Sequence, residues 1–235
     1  MIEIRDIYKR FGKVEVLQGV SVDIEPGHIF AILGPNGSGK TTLIKILLGM
    51  VIPDRGTVRI NGHDILGQWK YRENIDYMPQ IADFPANLLV KEIIAMIRDL
   101  RRTPSDHEAL IERFELRPFL NKKIAHLSGG TRQKVNIVLA LMFDSDIIIL
   151  DEPTTGLDPV SLIRIKEIIR EKRRAGKTIL ITSHIMSLVE ELADQVVFIL
   201  DGKIYFKGTV ESLKTQTGES DLEHAIAKIL APGNR

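Results

Sequence analysis

The sequence contains no cysteine, so disulfides and thiolate metal sites are excluded, as suits a reducing compartment. Neither sign of charge is in excess: 32 Lys and Arg stand against 31 Asp and Glu, a formal net charge of +1. So close a balance gives no electrostatic case for nucleic acid or an anionic membrane surface, and no nucleic-acid partner is expected. Long apolar runs are missing too. No stretch approaches the roughly 18 residues of a membrane span, and "MIEIRDIYKR" lacks the apolar centre of a signal peptide. The expectation is a soluble, cytoplasmic protein whose membrane role, if any, comes through a partner.

What is present is ordinary globular material. The 235 residues are 44% hydrophobic and 27% charged, enough to bury a core in one large domain or a domain with a sub-domain. Short β-type runs lie at "MIEIRDIY", "VSVDI", "HIFAIL", "GTVRI", "IDYMP", "DIIIL", "TILITS", "VVFIL" and "KIYFKG". Asn61-Gly62 is a strong hairpin signal, and Asp201-Gly202 a second tight turn. Helical patterns occupy residues 41–50, 90–102, 105–114, 130–143, 159–175, 185–193 and 222–230. "DIIIL" and "TILITS" are apolar without alternation, as strands covered on both faces are. The chain ends are thus β-rich and α/β, 81–126 is helical and inserted, and "TQTGES" reads as a loop before a last short helix.

Gly34, Gly39, Lys40 and Thr41 match G-x-x-x-x-G-K-[ST] between an expected strand and an expected helix. Glycines let the backbone curl so that successive N–H groups point at phosphate oxygens, and the helix adds its positive end. Lys40 would reach the β- and γ-phosphates, and Thr41 would place its hydroxyl on Mg²⁺.

Asp151 and Glu152 follow the buried run "DIIIL". At the carboxyl end of a strand such side chains face a ligand crevice. Asp151 would hold Mg²⁺ and Glu152 would polarise an attacking water. His184 ends "ILITSH" in the same way, within reach of a γ-phosphate. Farther along, "HLSGGTRQK" opens a helix with Ser128 at the N-cap and Gly129-Gly130 behind it. A serine cap needs no glycines after it, so two of them suggest a backbone that something approaches closely. One chain therefore carries two anion-seeking helix starts far apart in sequence.

The ordered set "GPNGSGKTT", "MPQ", "LSGGTRQK", "IIILDEPTTGLD" and "ITSH" resembles the nucleotide-binding subunits of ABC transporters across essentially the whole chain. The resemblance implies a P-loop NTPase α/β core with a mixed sheet, an antiparallel β sub-domain and an inserted α-helical sub-domain. The expected boundaries are 1–80 with 127–215 for the core and β sub-domain, 81–126 for the helical sub-domain, and 216–235 for a short extension. It implies that Gly34, Pro35, Asn36, Gly37, Ser38, Gly39, Lys40, Thr41 and Thr42 form the phosphate loop. Gln80 would contact Mg²⁺ and sense the γ-phosphate. Ser128, Gly129 and Gly130 would face the phosphate loop of an opposite protomer. Asp151 and Glu152 would be metal ligand and catalytic base, Asp158 part of the loop beyond them, His184 the switch histidine, and Phe11 a ring stacked on adenine. Two residues depart from the pattern: Thr131 stands where glutamine is common, and Phe11 where tyrosine is.

ATP and Mg²⁺ are the implied cofactors, and the implied partners are a second copy in the ATP-bound state and an integral membrane permease. The chain would then sit peripherally on the cytoplasmic face of the membrane. Phe84 and Pro85 are candidates for the permease-facing surface. The short tail resembles subunits paired with exporter-type permeases, including those serving copper maturation of nitrous oxide reductase and haem export. The alternative is a non-transport ATPase of the same architecture working on nucleic acid or protein assembly. The basic run Arg170 to Lys177 bears on that alternative, although it reads more naturally as the solvated end of a helix.

Overall fold

The computed structural model describes residues 1–230. The last five residues of the expected extension, 231–235, lie outside the described chain. Two compact units divide it, one taking in Met1–Tyr71 and the chain from Thr178 on, the other Arg72–Lys177.

The first unit begins with β1 (Ile2–Phe11), β2 (Val14–Ile24), β3 (Ile29–Leu33), α1 (Lys40–Leu47), β4 (Arg55–Ile60) and β5 (His63–Asp64). After the second unit it resumes with β8 (Thr178–Thr182), α6 (Met186–Leu192), β9 (Gln195–Leu200), β10 (Lys203–Gly208), α7 (Val210–Thr217) and α8 (Leu222–Leu230). The second unit contains β6 (Ile75–Met78), α2 (Val90–Arg101), α3 (His107–Arg113), α4 (Gly129–Leu141), β7 (Ile147–Asp151) and α5 (Pro159–Arg174).

In the first unit, β1 pairs antiparallel with both β2 and β4, and β4 turns at Asn61-Gly62 into β5. Ile2, Ile4 and Ile7 alternate inward with Val20, Val22 and Ile24 of β2, the pattern of a sheet buried on one face. The second sheet is mixed: β3 runs parallel to β8 and β9, and β10 returns antiparallel to β9 across Asp201-Gly202. All five residues of β3 and of β8 are buried, which is why their sequences do not alternate.

One helix is shorter than expected and another was not expected at all, each for local reasons. The first was expected over 41–50 but stops at Leu47, because Gly49 turns left-handed at φ +64°. There the Met50 amide donates to Lys45 O at 2.8 Å and the Gly49 amide to Ile46 O at 2.9 Å, closing the last turn. "TQTGES" is not the expected loop, since its first three residues complete α7, which Gly218 caps in the left-handed region. Thr215 and Thr217 are tolerated there because their hydroxyls donate to Glu211 O and Leu213 O, each at 2.8 Å. Val210 and Leu213 of α7 and Leu222, Ala225 and Ile226 of α8 join Ala31 and Leu33 of β3 in one core.

In the second unit β6 and β7 run parallel, with Met78 opposite Leu150. Asp76 is buried on β6, where Arg101 of α2 donates to it at 3.0 Å and Ser145 at 2.9 Å. The Arg101 guanidinium also lies 4.5 Å from the Phe143 ring centroid. Burial raises the Asp76 carboxyl above its ordinary value, and the Arg101 charge works against that rise. The basic run 170–177 is partly inward. Lys172 Nζ donates to Phe143 O at 3.0 Å and Lys177 Nζ to Asp144 O at 3.1 Å.

Candidate functional site

In the first unit the buried strand β3 delivers the chain into the loop 34–39 and then α1. Gly34 sits at φ +149°, where a Cβ would stand 2.1 Å from Ile199 O and 2.6 Å from Ser38 Oγ. Gly39 sits at φ +107°, where a Cβ would meet Leu17 Cδ2 at 2.6 Å. Both glycines are therefore demanded by the chain's own packing. Lys40 Nζ donates to Gly34 O at 2.7 Å and Pro35 O at 3.0 Å, so the amine lies inside the curl. Pro35, Asn36 and Gly37 form an exposed rim, while Ser38 is 3% exposed and its Oγ has no hydrogen-bond partner among the described residues. No side chain caps α1 and no acidic residue lies in its first turn, which carries Thr41 and Thr42. A positive helix end with an amine and an orphaned hydroxyl beside it suits an anion.

Also in the first unit, His184 is exposed directly after Thr182 and Ser183, which are 0% and 2% exposed. Ser183 Oγ accepts from the Ile185 amide at 3.0 Å, which fixes the turn that presents the imidazole. Phe11 ends β1 with 49% of its surface exposed and the Lys9 ammonium 5.3 Å from its ring centroid. An exposed aromatic on a hairpin can stack on a planar base.

In the second unit, Asp151 ends β7 and Glu152 follows it, at 4% and 8% exposure. Glu152 adopts φ +51°, which costs a non-glycine residue on the order of 1–3 kcal/mol. Tyr77 on the neighbouring β6 is pushed up to about 12, by burial first and then by the charge of Asp151. Gln80 is exposed just beyond β6. Its neighbour is anchored, since Asn136 Nδ2 on α4 donates to Pro79 O at 3.0 Å.

Ser128 caps α4: its Oγ accepts from the Thr131 amide at 3.3 Å and lies 2.9 Å from Thr131 Oγ1. The departure at Thr131 therefore engages the serine hydroxyl itself. A Cβ at Gly130 would come within 2.9 Å of Gly156 O, whereas one at Gly129 would meet nothing within 4 Å. Gln133 Nε2 donates to Pro153 O at 3.2 Å and Lys134 Nζ lies 2.7 Å from Asp158 Oδ2. The start of α4 is thereby brought against the loop beyond Glu152. Asp158 caps α5, accepting from the Ser161 amide and hydroxyl at 2.9 Å each. Lys134 first, then Ser161, holds its carboxyl well below the usual carboxylate range. Tyr77, Lys134 and Asn136 had no sequence signal, because each matters only through the neighbour the fold supplies.

Among the described residues no cluster of three or more His, Asp or Glu side chains could hold a metal on its own. Thr41 and Asp151 offer hard oxygen donors, and Gln80 an amide oxygen. Each is, taken by itself, a donor type that Mg²⁺ accepts.

A family model described as "ABC transporter" matches residues 17–155. The "ABC transporter ATP-binding protein NatA" of Bacillus subtilis is 33% identical over 258 residues, covering 99% of each chain. The "Nod factor export ATP-binding protein I" of Burkholderia lata is 34% identical over 237 residues, 98% of this chain and 77% of its own. A solved structure of the ATP-binding subunit of an ABC transporter matches with a TM-score of 0.90 at 28% identity, over 98% of this chain and 100% of that one. The chain belongs to the ABC transporter family, as an energy-coupling ATP-binding subunit that hydrolyses ATP to drive transport. Its antiparallel sheet, mixed sheet and helices are those of the family's ATPase fold. The comparisons do not extend to the narrower resemblance to subunits serving nitrous oxide reductase copper maturation.

Proposed function

We propose that two copies of this chain close on ATP and Mg²⁺ on the cytoplasmic face of the membrane, driving a separate integral membrane permease that works as an exporter. The observation that carries the dimer is at Gly129, where an added Cβ would meet nothing within 4 Å among the described residues. A close approach from outside explains that glycine, and a nucleotide held by a second copy is what a capped helix start would receive.

In this account Lys40 and the amides of the Gly34–Thr42 loop hold the β- and γ-phosphates. Thr41, Gln80 and Asp151 would hold Mg²⁺, which supplies charge neutralisation at the phosphates. Glu152 accepts the proton of the attacking water or orients it, and His184 positions the γ-phosphate. Phe11 stacks on adenine, and Asp158 contributes through the loop it anchors. Ser128 and the glycine amides of the other copy bind the γ-phosphate.

Moving closure from about 1:99 to 99:1 takes roughly 5.5 kcal/mol. Hydrogen bonds to a charged group contribute about 1.5–3 kcal/mol each. Two such bonds at each of two sites therefore suffice, and ADP, lacking the γ-phosphate, releases the pair.

The permease part rests on an open cavity of about 350 Å³ in the second unit, whose lining includes Tyr77, Phe84, Ile97, Arg101 and Phe143. Ile81 and Leu100 of the same unit are 82% and 73% exposed, apolar surface that a membrane subunit's segment would cover. The export label of the Burkholderia lata relative supports the outward direction. No helix among the described residues is long and apolar enough to cross a membrane, so attachment falls to the permease.

Solution scattering of Glu152→Gln at saturating MgATP tests the dimer. The account expects a twofold rise in particle mass that ADP does not produce. A mass that stays monomeric with bound ATP contradicts it.

A further inference from the structure

We propose that the C-terminal helix α8 is a positioning element for His184, setting the rate of hydrolysis rather than the affinity for ATP. This rests on the role given to His184 above. His184 sits between the buried strand β8 and the seven-residue α6, whose start no side chain caps. A helix that short has little stability of its own and takes its position from what it packs against. Here that support includes α8.

A cavity of about 480 Å³ has His184, Met186 and Ser187 on one side and Glu223, Ile226 and Leu230 of α8 on the other. Glu190 of α6 fixes the joint. Its Oε1 accepts from the Leu222 amide, at the first turn of α8, at 2.9 Å and from Lys214 Nζ of α7 at 2.6 Å. A carboxylate at a helix N-terminus is favourable both as cap and against the helix dipole. One side chain thus ties α6 to both C-terminal helices. Below it, Val189 of α6 and Leu222, Ala225 and Ile226 of α8 share a core with Leu33, the residue that leads into the phosphate loop. Releasing α8 would let α6 shift and carry the imidazole away from its working position. Small misplacements of a positioning group cost rate steeply and leave ground-state binding almost untouched.

The test compares MgATP turnover of the full chain with that of Glu190→Ala, Glu190→Gln, His184→Ala and the double variant. Glu190→Ala is expected to lower kcat roughly tenfold, with KM for ATP changed less than about twofold. Glu190→Gln, which keeps the acceptor, should restore most of the rate. In the His184→Ala background Glu190→Ala should cost nothing further, the non-additivity of residues acting through one group. The NMR resonances of the His184 ring should move in Glu190→Ala without nucleotide. If Glu190→Ala does not fold, Ala227→Phe, which fills the cavity from the α8 side, is judged by the same kcat and KM criteria. Unchanged kcat with fast amide exchange across Leu222–Ile226 overturns the proposal, as does equal loss in both His184 backgrounds. A His184→Ala enzyme at full rate instead overturns the role of His184, and the inference with it.

Discussion

Helix α1 starts behind a glycine and α4 starts on a pair of them, yet the two starts are packed in different ways. At α1 the glycines are imposed from within, since side chains at Gly34 or Gly39 would collide with Ile199 O or Leu17. The Lys40 amine is folded into the loop, and the buried Ser38 hydroxyl has no hydrogen-bond partner among the described residues. At α4 the start is exposed, capped by its own Ser128, and Gly129 faces open space. In the proposed reading, the first is the cradle one chain brings to the nucleotide, and the second is what the other copy brings to the same nucleotide.

Lys40→Ala should do the most damage, because it removes a preorganised cation aimed at transferring phosphate. The expected loss in kcat/KM is about 10²–10³-fold, measured by phosphate release. A loss under tenfold would reduce the α1 start to a structural turn. Ser128→Ala comes next. Removing one hydrogen bond to a charged group should lower turnover about 10- to 150-fold, while binding of a fluorescent ATP analogue by the single chain stays unchanged. Loss of that binding would make both helix starts parts of one chain's own site and erase the contrast. Thr131→Val is the mildest. It removes the hydroxyl 2.9 Å from Ser128 Oγ and should slow turnover about 2- to 10-fold, the range of one ordinary hydrogen bond. An unchanged rate would show that Thr131 does not orient the serine.

The glycine curl before α1, the acidic end of β7 and the serine cap of α4 were legible because each is local. A curl, a strand end and a helix cap each leave a mark within a few residues. The hairpin turns at Asn61-Gly62 and Asp201-Gly202 were legible for the same reason. What escaped depends on distant neighbours. Thr215 and Thr217 look like loop residues until their hydroxyls find carbonyls one turn back. Nothing near Asp76 announces that Arg101, 25 residues on, will bury its charge there. Nor does the sequence show that Thr131 meets Ser128, or that Asp158 is occupied by Lys134 and Ser161, since both follow from side-chain geometry at a helix start.

The central claim is that Lys40 and Ser128 act on one triphosphate from different copies. Mixing the impaired Lys40→Ala and Ser128→Ala variants in equal amounts tests it most directly. In a head-to-tail pair, a mixed dimer has one site with both defects and one with neither. Half the dimers are mixed and each offers one sound site of two, so about a quarter of wild-type turnover should return. A mixture no more active than its components would place both residues in the same copy's site and contradict the account.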